Sequence, residues 1–415
     1  MTYPIDTIRA QFPALHKEHH GHAVCHFDGP AGSQVPSSVA QAVSDYLMNC
    51  NSNRCAPFSV SQRSDERVEA GHATLAEFVG ADEPVEIVFG QNMTSLTLAL
   101  SRSLGKTWKP GDEIIVTQLD HDANVAPWML AAEDAGAKVH HIPVNLEDCT
   151  LNQTDYRNLL SEKTRLVALG YASNATGTIN PIRQMIADAR EVGALTFIDA
   201  VHMAPHRRLN VTELDCDFLS CSAYKFYGPH IGILYGKREL LESLTPYKLR
   251  PSPDEIPGRW MTGTQSHEAI CGAKAAVDYL ADLGKSINPN AANRSEQLDA
   301  AFSAIENYEC ELTKYLLSRF DELESLKLWG ISDRERLAER VPTFSFTHPS
   351  KTPHEFAEQL GQQGIYVWPG NHYAFPFTTA AGLEPGGTLR VGLLHYNTIE
   401  EIDRLVDSLH PLLQQ

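Results

Sequence analysis

The side chains best suited to chemistry sit in two short stretches, Phe197-Ile198-Asp199-Ala200-Val201-His202 and Ser222-Ala223-Tyr224-Lys225-Phe226-Tyr227-Gly228-Pro229. A lysine amine is a nucleophile that condenses with aldehydes. A nearby carboxylate favours the protonated form of a basic partner. A third stretch, Gly90-Gln91-Asn92-Met93-Thr94, lies between a predicted strand and a predicted helix beginning near Ser95. Backbone N–H groups at such a helix start, with the helix dipole behind them, suit a phosphate. Amine, acid and phosphate cradle together describe a site for a small anionic ligand.

These residues need a scaffold that brings them to one place. Short apolar runs at 85–89, 113–117, 138–143, 165–170, 195–198, 218–221 and 231–235 have the near-continuous character of strands buried on both faces of a mostly parallel sheet. Helical segments at 95–104, 125–135 and 181–192 alternate with them, an α/β pattern. Five of the runs are followed by polar or ionisable residues: Asn92 and Thr94, Asp120 and His121, Ser173 and Asn174, Asp199, and Ser222 with Lys225. Ligands bind at the carboxyl ends of strands in open α/β sheets, so five loops are expected to form one cleft. The Pro- and Gly-rich stretch 246–261 is expected to cross a surface or subunit boundary. After it come a helix at 266–283 and a hinge at Asn288-Pro289-Asn290. Beyond the hinge we read a helix from 295, strands at 341–346, 364–368 and 389–394, and helices at 353–363 and 398–413. With 415 residues, more than one hydrophobic core usually holds, the expected division is an N-terminal segment 1–25, a large α/β domain 26–285 and a smaller α+β domain 286–415.

An Asp-terminated strand, then a strand leading into Ser-x-x-Lys before Gly-Pro, resembles the aminotransferase class V family, and within it the cysteine-desulfurase-like branch. Further matches are His26-Phe27-Asp28-Gly29-Pro30-Ala31-Gly32, Asn51-Ser52-Asn53, His121-Asp122-Ala123-Asn124-Val125-Ala126-Pro127-Trp128, Ser173-Asn174-Ala175-Thr176-Gly177-Thr178 and Leu389-Arg390-Val391-Gly392. Their order and spacing cover nearly the whole chain. The resemblance implies a fold-type-I enzyme dependent on pyridoxal 5'-phosphate. Lys225 would hold the cofactor as a Schiff base and carry protons, and Asp199 would keep its ring nitrogen protonated so that the ring accepts electrons. His121 would lie over the ring face, with Asn174 and His202 near its phenolic oxygen; His202 stands where many desulfurases have Gln. Asn92, Met93, Thr94, Ser222 and Tyr224 would hold the phosphate, Tyr224 in place of a common histidine. Thr264 would reach the phosphate of a neighbouring subunit, implying a homodimer with shared active sites. Arg390 would clamp the substrate carboxylate, for which its planar fork is suited.

One departure bears on the reaction. The persulfide-forming desulfurases carry a nucleophilic cysteine on a loop of the small domain, and matching residues 367–376 to that loop puts Tyr373 in its place. Trp368 falls where many relatives have arginine, and no cysteine follows Cys310. The expectation is therefore an enzyme acting on a small amino acid, by C–S lyase or desulfurase-like chemistry without a persulfide cysteine. Transamination or epimerisation is the alternative, and a non-catalytic cofactor-binding regulator is the alternative of another class. The presence of both Lys225 and Asp199 argues against the last, since a scaffold needs no electron sink.

Composition narrows the partners. Thirty-four Lys and Arg against 52 Asp and Glu give a net charge of -18, which disfavours nucleic acid and anionic membranes. No apolar run is long enough to span a bilayer, and the charged, histidine-rich first 24 residues lack the core of a signal peptide. The eight cysteines form no CxxC pair, and neither they nor the irregularly spaced His16, His19, His20, His22 and His26 suggest a metal. Reduced, buried thiols in a cytoplasmic protein are the expectation.

Overall fold

A computed structural model describes residues 3–323 and 325–413; position 324 and the outermost ends of the segments 1–25 and 286–415 lie outside the described residues. The apolar runs form strands β1 (Ile87–Gly90), β2 (Glu113–Thr117), β3 (Lys138–Ile142), β4 (Thr164–Gly170), β5 (Leu195–Asp199), β6 (Phe218–Ser222) and β7 (Gly232–Gly236). They make one sheet in the order β1-β7-β6-β5-β4-β2-β3. Neighbours are parallel except at β7, which is antiparallel to both β6 and β1. All five residues of β6 and of β7 are buried, as strands covered on both faces require.

Helices cover the two faces. α1 (Ser37–Asn49) and α2 (Ser59–Val79) precede the sheet; α3 (Met93–Gly105), α4 (Ala126–Ala135) and α5 (Ile182–Glu191) alternate with its strands. α6 (His267–Ile287) packs on α1 and α2. From there α7 (Arg294–Phe320) runs into a second lobe, where β8 (Lys327–Trp329), β9 (Thr343–Thr347), β10 (Trp368–Gly370) and β11 (Thr388–Gly392) form an antiparallel sheet ordered β8-β9-β11-β10. Helices α8 (Pro353–Gln362), α9 (Phe375–Ala380) and α10 (Ile399–Leu413) accompany it. Leu360, Phe344, Val391, Leu405 and Leu409 fill a core separate from that of the main sheet. A mostly parallel α/β lobe with a smaller α+β lobe is thus present.

The expected strand 364–368 is two strands with different partners. Ile365–Tyr366 pairs in parallel with Cys25–His26, while β10 pairs with β11. The cause is the N-terminal segment. Cys25 and Phe27 bury themselves in the small-lobe core, whereas Ile8, Phe12 and Leu15 pack into the large one. Residues before Gly29 therefore bridge both lobes, and the segment after them passes over the end of the sheet where the site lies. Sequence reading also placed no helix between 31 and 84, where α1 and α2 stand.

Candidate active site

The loops after β1, β2, β4, β5 and β6 all open at one end of the sheet. Together they line one enclosed cavity. Asn92, Met93, Thr94, His121, Asn174, Asp199, His202, Ser222, Tyr224 and Lys225 all line it. Arg390 reaches the wider mouth of the same space, together with Tyr373 and Trp368. Thr264 is exposed and lines neither region.

Lys225 follows β6 in a single 3₁₀ turn, Ala223–Lys225, and only 8% of its surface is exposed. Its Nζ donates to the carbonyls of Pro30 and of Ala31, the latter at 3.1 Å. Burial pushes its pKa down to about 7, helped by the Arg390 charge and opposed by Asp199 and Asp28. Relative to a free lysine this is a bias of about 5 kcal/mol toward the neutral amine. About half the amine is then an available nucleophile at neutral pH. Asp199 ends β5, fully enclosed, and accepts a hydrogen bond from Val201 N–H at 2.9 Å. Burial raises its pKa to about 6, against the pull of that hydrogen bond and of Lys225.

The phosphate-type cradle is built by α3. Asn92, in extended conformation, caps the helix: its Oδ1 accepts from Ser95 N–H at 2.9 Å. Met93 N–H donates to Ser222 Oγ at 3.1 Å, so the serine hydroxyl sits at the helix start. Gly232 makes this approach of β7 possible, because a Cβ there would lie 2.3 Å from the Asn92 carbonyl carbon. Tyr224 stacks on His230 with centroids 4.9 Å apart and forms the adjacent wall.

His121 accepts from Ala123 N–H through Nδ1 at 3.0 Å, which leaves any proton on Nε2. Burial, with the Lys225 and Arg390 charges, lowers its pKa to about 4, so the ring is neutral at pH 7. His202 Nε2 pairs with Thr343 Oγ1 at 2.9 Å, and burial likewise holds its pKa well below the ordinary value. Asn174 donates through Nδ2 to the His372 carbonyl at 2.8 Å, and its own carbonyl accepts from Arg390 Nη1 at 3.0 Å.

Three polar features here were not assigned roles from the sequence. Asp120, next to His121, is enclosed; it accepts from Thr117 Oγ1 at 2.8 Å, Asn124 Nδ2 at 2.7 Å and Gly170 N–H at 3.0 Å. Burial and the neighbouring Asp199 raise its pKa to about 7, though these three hydrogen bonds pull it down. It locks the loop that carries His121 to β4. The Pro30 and Ala31 carbonyls hold Lys225 by backbone alone, which no residue pattern reveals. His372 and Tyr373 have φ of 57° and 56°, a left-handed conformation costing roughly 1–3 kcal/mol at each such residue. Four hydrogen bonds hold them there, two of them from the large lobe: Asn174 Nδ2 to the His372 carbonyl and Asp122 N–H to the Tyr373 carbonyl at 2.7 Å.

The pocket has unmet polar demand. Asn174 Oδ1 and Arg390 Nε are buried with no hydrogen-bond partner among the described residues. Such atoms are costly unless a ligand or water satisfies them. A basic guanidinium, a helix start with a serine hydroxyl, and a lysine facing an acid fit pyridoxal phosphate bearing a carboxylate substrate. None of the eight cysteines, all unpaired, lines the cavity or its mouth. Among the described residues no helix is long and apolar enough to cross a membrane, and no cluster of His, Cys, Asp or Glu could hold a metal ion.

Known proteins similar to this chain are numerous. A cysteine desulfurase of Pectobacterium carotovorum is 33% identical over 99% of this chain and 98% of its own length. A probable cysteine desulfurase of Synechocystis is 32% identical, covering 98% and 95%. Among solved structures, an apo cysteine desulfurase from Thermococcus onnurineus superposes with a TM-score of 0.87 at 27% identity, over 100% of this chain and 99% of that one. The cysteine desulfurase CsdA of Escherichia coli gives 0.84 at 26%, again over 100% and 99%. The aminotransferase class-V family model matches residues 25–405. The chain is therefore an enzyme of the class V aminotransferase family, in its cysteine-desulfurase-like branch, with the family's fold-type-I architecture.

Proposed function

We propose that this enzyme binds pyridoxal 5'-phosphate through Lys225 and cleaves the Cβ–S bond of a sulfur-containing amino acid without forming a protein persulfide. The observation that carries the cofactor reading is a neutral-biased, buried Lys225 in the same cavity as Asp199 and a serine-bearing helix start. When bound, the cofactor supplies an electron sink for the pair left at the substrate Cα.

The protein's residues would do the rest. Lys225 Nζ would hold the cofactor covalently and would be the base that takes the substrate's Cα proton. Asp199 would keep the cofactor's ring nitrogen protonated. Ser222 Oγ, Thr94 and the α3 N–H groups would bind its phosphate, with Asn92 ordering the turn and Tyr224 closing the side. His121, Asn174 and His202 would pack against the cofactor, His121 as a neutral imidazole, and Arg390 would orient the substrate carboxylate. Thr264, on the surface, would complete the phosphate site of a second subunit in a homodimer.

The overall reaction is R–S–CH₂–CH(NH₃⁺)–COO⁻ plus water giving R–SH, pyruvate and ammonium. The Cβ–S electron pair leaves with sulfur, which takes a proton; water supplies the carbonyl oxygen of pyruvate, and no external oxidant or reductant is required. The missing persulfide step follows from Tyr373 at the mouth and from cysteines that all lie outside the cavity. The test is incubation of the purified enzyme with a panel of amino acids, following pyruvate, ammonia, thiol or sulfide, and keto acid separately. Equal release of pyruvate, ammonia and thiol is expected. Keto acid retaining the substrate's side chain would point to transamination, and a persulfide on the protein would overturn the reading of Tyr373.

A further inference from the structure

The mouth of the cavity divides by chemistry. Its inner end carries Lys225, Asn174 and Arg390, which on the proposed function fix the substrate's amine and carboxylate. On that reading the substrate's side chain faces the outer part of the mouth. The outer wall is apolar: Leu98 from α3, Ala126, Pro127 and Leu130 from the α4 region, and Trp368 and Tyr373 from the small lobe. Leu130 is 55% exposed, Trp368 49% and Tyr373 73%, so apolar surface faces the opening rather than a packed core. The carboxylate beside this wall is Asp122, whose pKa burial pushes upward. That disfavours an acidic side chain and makes a weak partner for a basic one.

Tyr373 is held in position. Its ring stacks on His121 with centroids 5.4 Å apart and planes at 18°. Its backbone is left-handed and fixed from both sides, by Asp122 N–H on its carbonyl and by Asn371 Oδ1 on its N–H at 3.1 Å. A residue kept in an unfavourable conformation by contacts from two lobes is the kind that serves a site.

We propose that this wall selects an α-amino acid bearing a neutral apolar group of several heavy atoms beyond Cβ. On the C–S cleavage reading, on which this inference rests, the substrate is an S-alkyl or S-aryl cysteine and not cysteine itself. Transfer of such a group from water to an apolar wall is favourable, and a bare thiol has too little surface to gain by it.

The test is a titration of the cofactor-loaded enzyme, read by the change in its visible absorbance, with alanine, cysteine, aspartate, lysine, phenylalanine and S-benzylcysteine. S-Benzylcysteine and phenylalanine should half-saturate at concentrations at least about tenfold below the other four, since one large apolar group gives discrimination of that order. Leu130→Asp and Tyr373→Ala, both at exposed positions, should each shrink that preference several-fold. Half-saturation by cysteine or aspartate at or below that by S-benzylcysteine overturns the inference, as does a preference unmoved by both substitutions. An absorbance that no amino acid alters overturns the amino-acid reading itself. A response without apolar preference overturns only the selectivity.

Discussion

The two sides of the cavity are built on opposite terms. On the large-lobe side, Lys225, Asp199, Ser222 and His202 are each at most 8% exposed; the first three are hydrogen-bonded to backbone groups and His202 to Thr343 Oγ1 of β9. On the small-lobe side, Trp368 at the start of β10 and Tyr373 on the loop that follows project into solvent, the loop held by Asn371, His372 and contacts from across the cleft. Arg390, in β11, and His372 are the buried residues on this side. The difference teaches where constraint lies. Charge placement for a fixed cofactor demands burial and exact partners, while the rim that meets a variable substrate tolerates change in residue type.

Substitutions can break that contrast. The largest effect is expected from Lys225→Ala, which should lower turnover on the order of 10³-fold or more and abolish covalent cofactor attachment. Next comes Asp199→Asn, with a fall of about 10²–10⁴-fold in kcat at nearly unchanged KM, since the lost proton hold acts on the reacting state. Arg390→Lys removes the fork but keeps the charge; KM should rise about 10–100-fold with a smaller change in kcat. Steady-state kinetics check all three.

The chemistry of Lys225 can also be titrated. Because burial brings its pKa from that of free lysine to about 7, the neutral amine predominates above that pH. Reductive labelling of the apoprotein by pyridoxal and cyanoborohydride should therefore rise through about pH 7 and level off, where a surface lysine would still be rising toward pH 10. Asp199 opposes the shift, so Asp199→Asn should move the midpoint lower. The smallest effect is on the rim: Tyr373→Ala should leave cofactor affinity within about twofold, since Tyr373 lines the mouth and not the inner cavity.

The sheet was readable because parallel strands buried on both faces print continuous apolar runs, and β2 through β7 fall within a residue or so of expectation. Helices α1 and α2 were not. α1 buries only Val39 and Tyr46, and α2 turns Ser61, Ser64, Gly71, His72 and Thr74 inward among its apolar residues. Gly71 is needed for contact, since a Cβ there would lie 2.3 Å from Ile270 Cγ2 of α6. A face made of small and polar residues leaves no apolar period to detect. In the site, the candidate side chains were legible, and all but Thr264 and Arg390 meet in the inner cavity. The backbone carbonyls under Lys225 and the left-handed pair His372-Tyr373 were not, because backbone geometry leaves no mark in residue type there.

Attachment of the cofactor at Lys225 is open to a direct chemical test: borohydride reduction of the cofactor-loaded enzyme, followed by digestion and mass mapping. A single modified peptide spanning Ser222 to Gly228, with pyridoxyl phosphate on Lys225, is expected. Modification of any other lysine, or a protein that binds no pyridoxal phosphate, would contradict it.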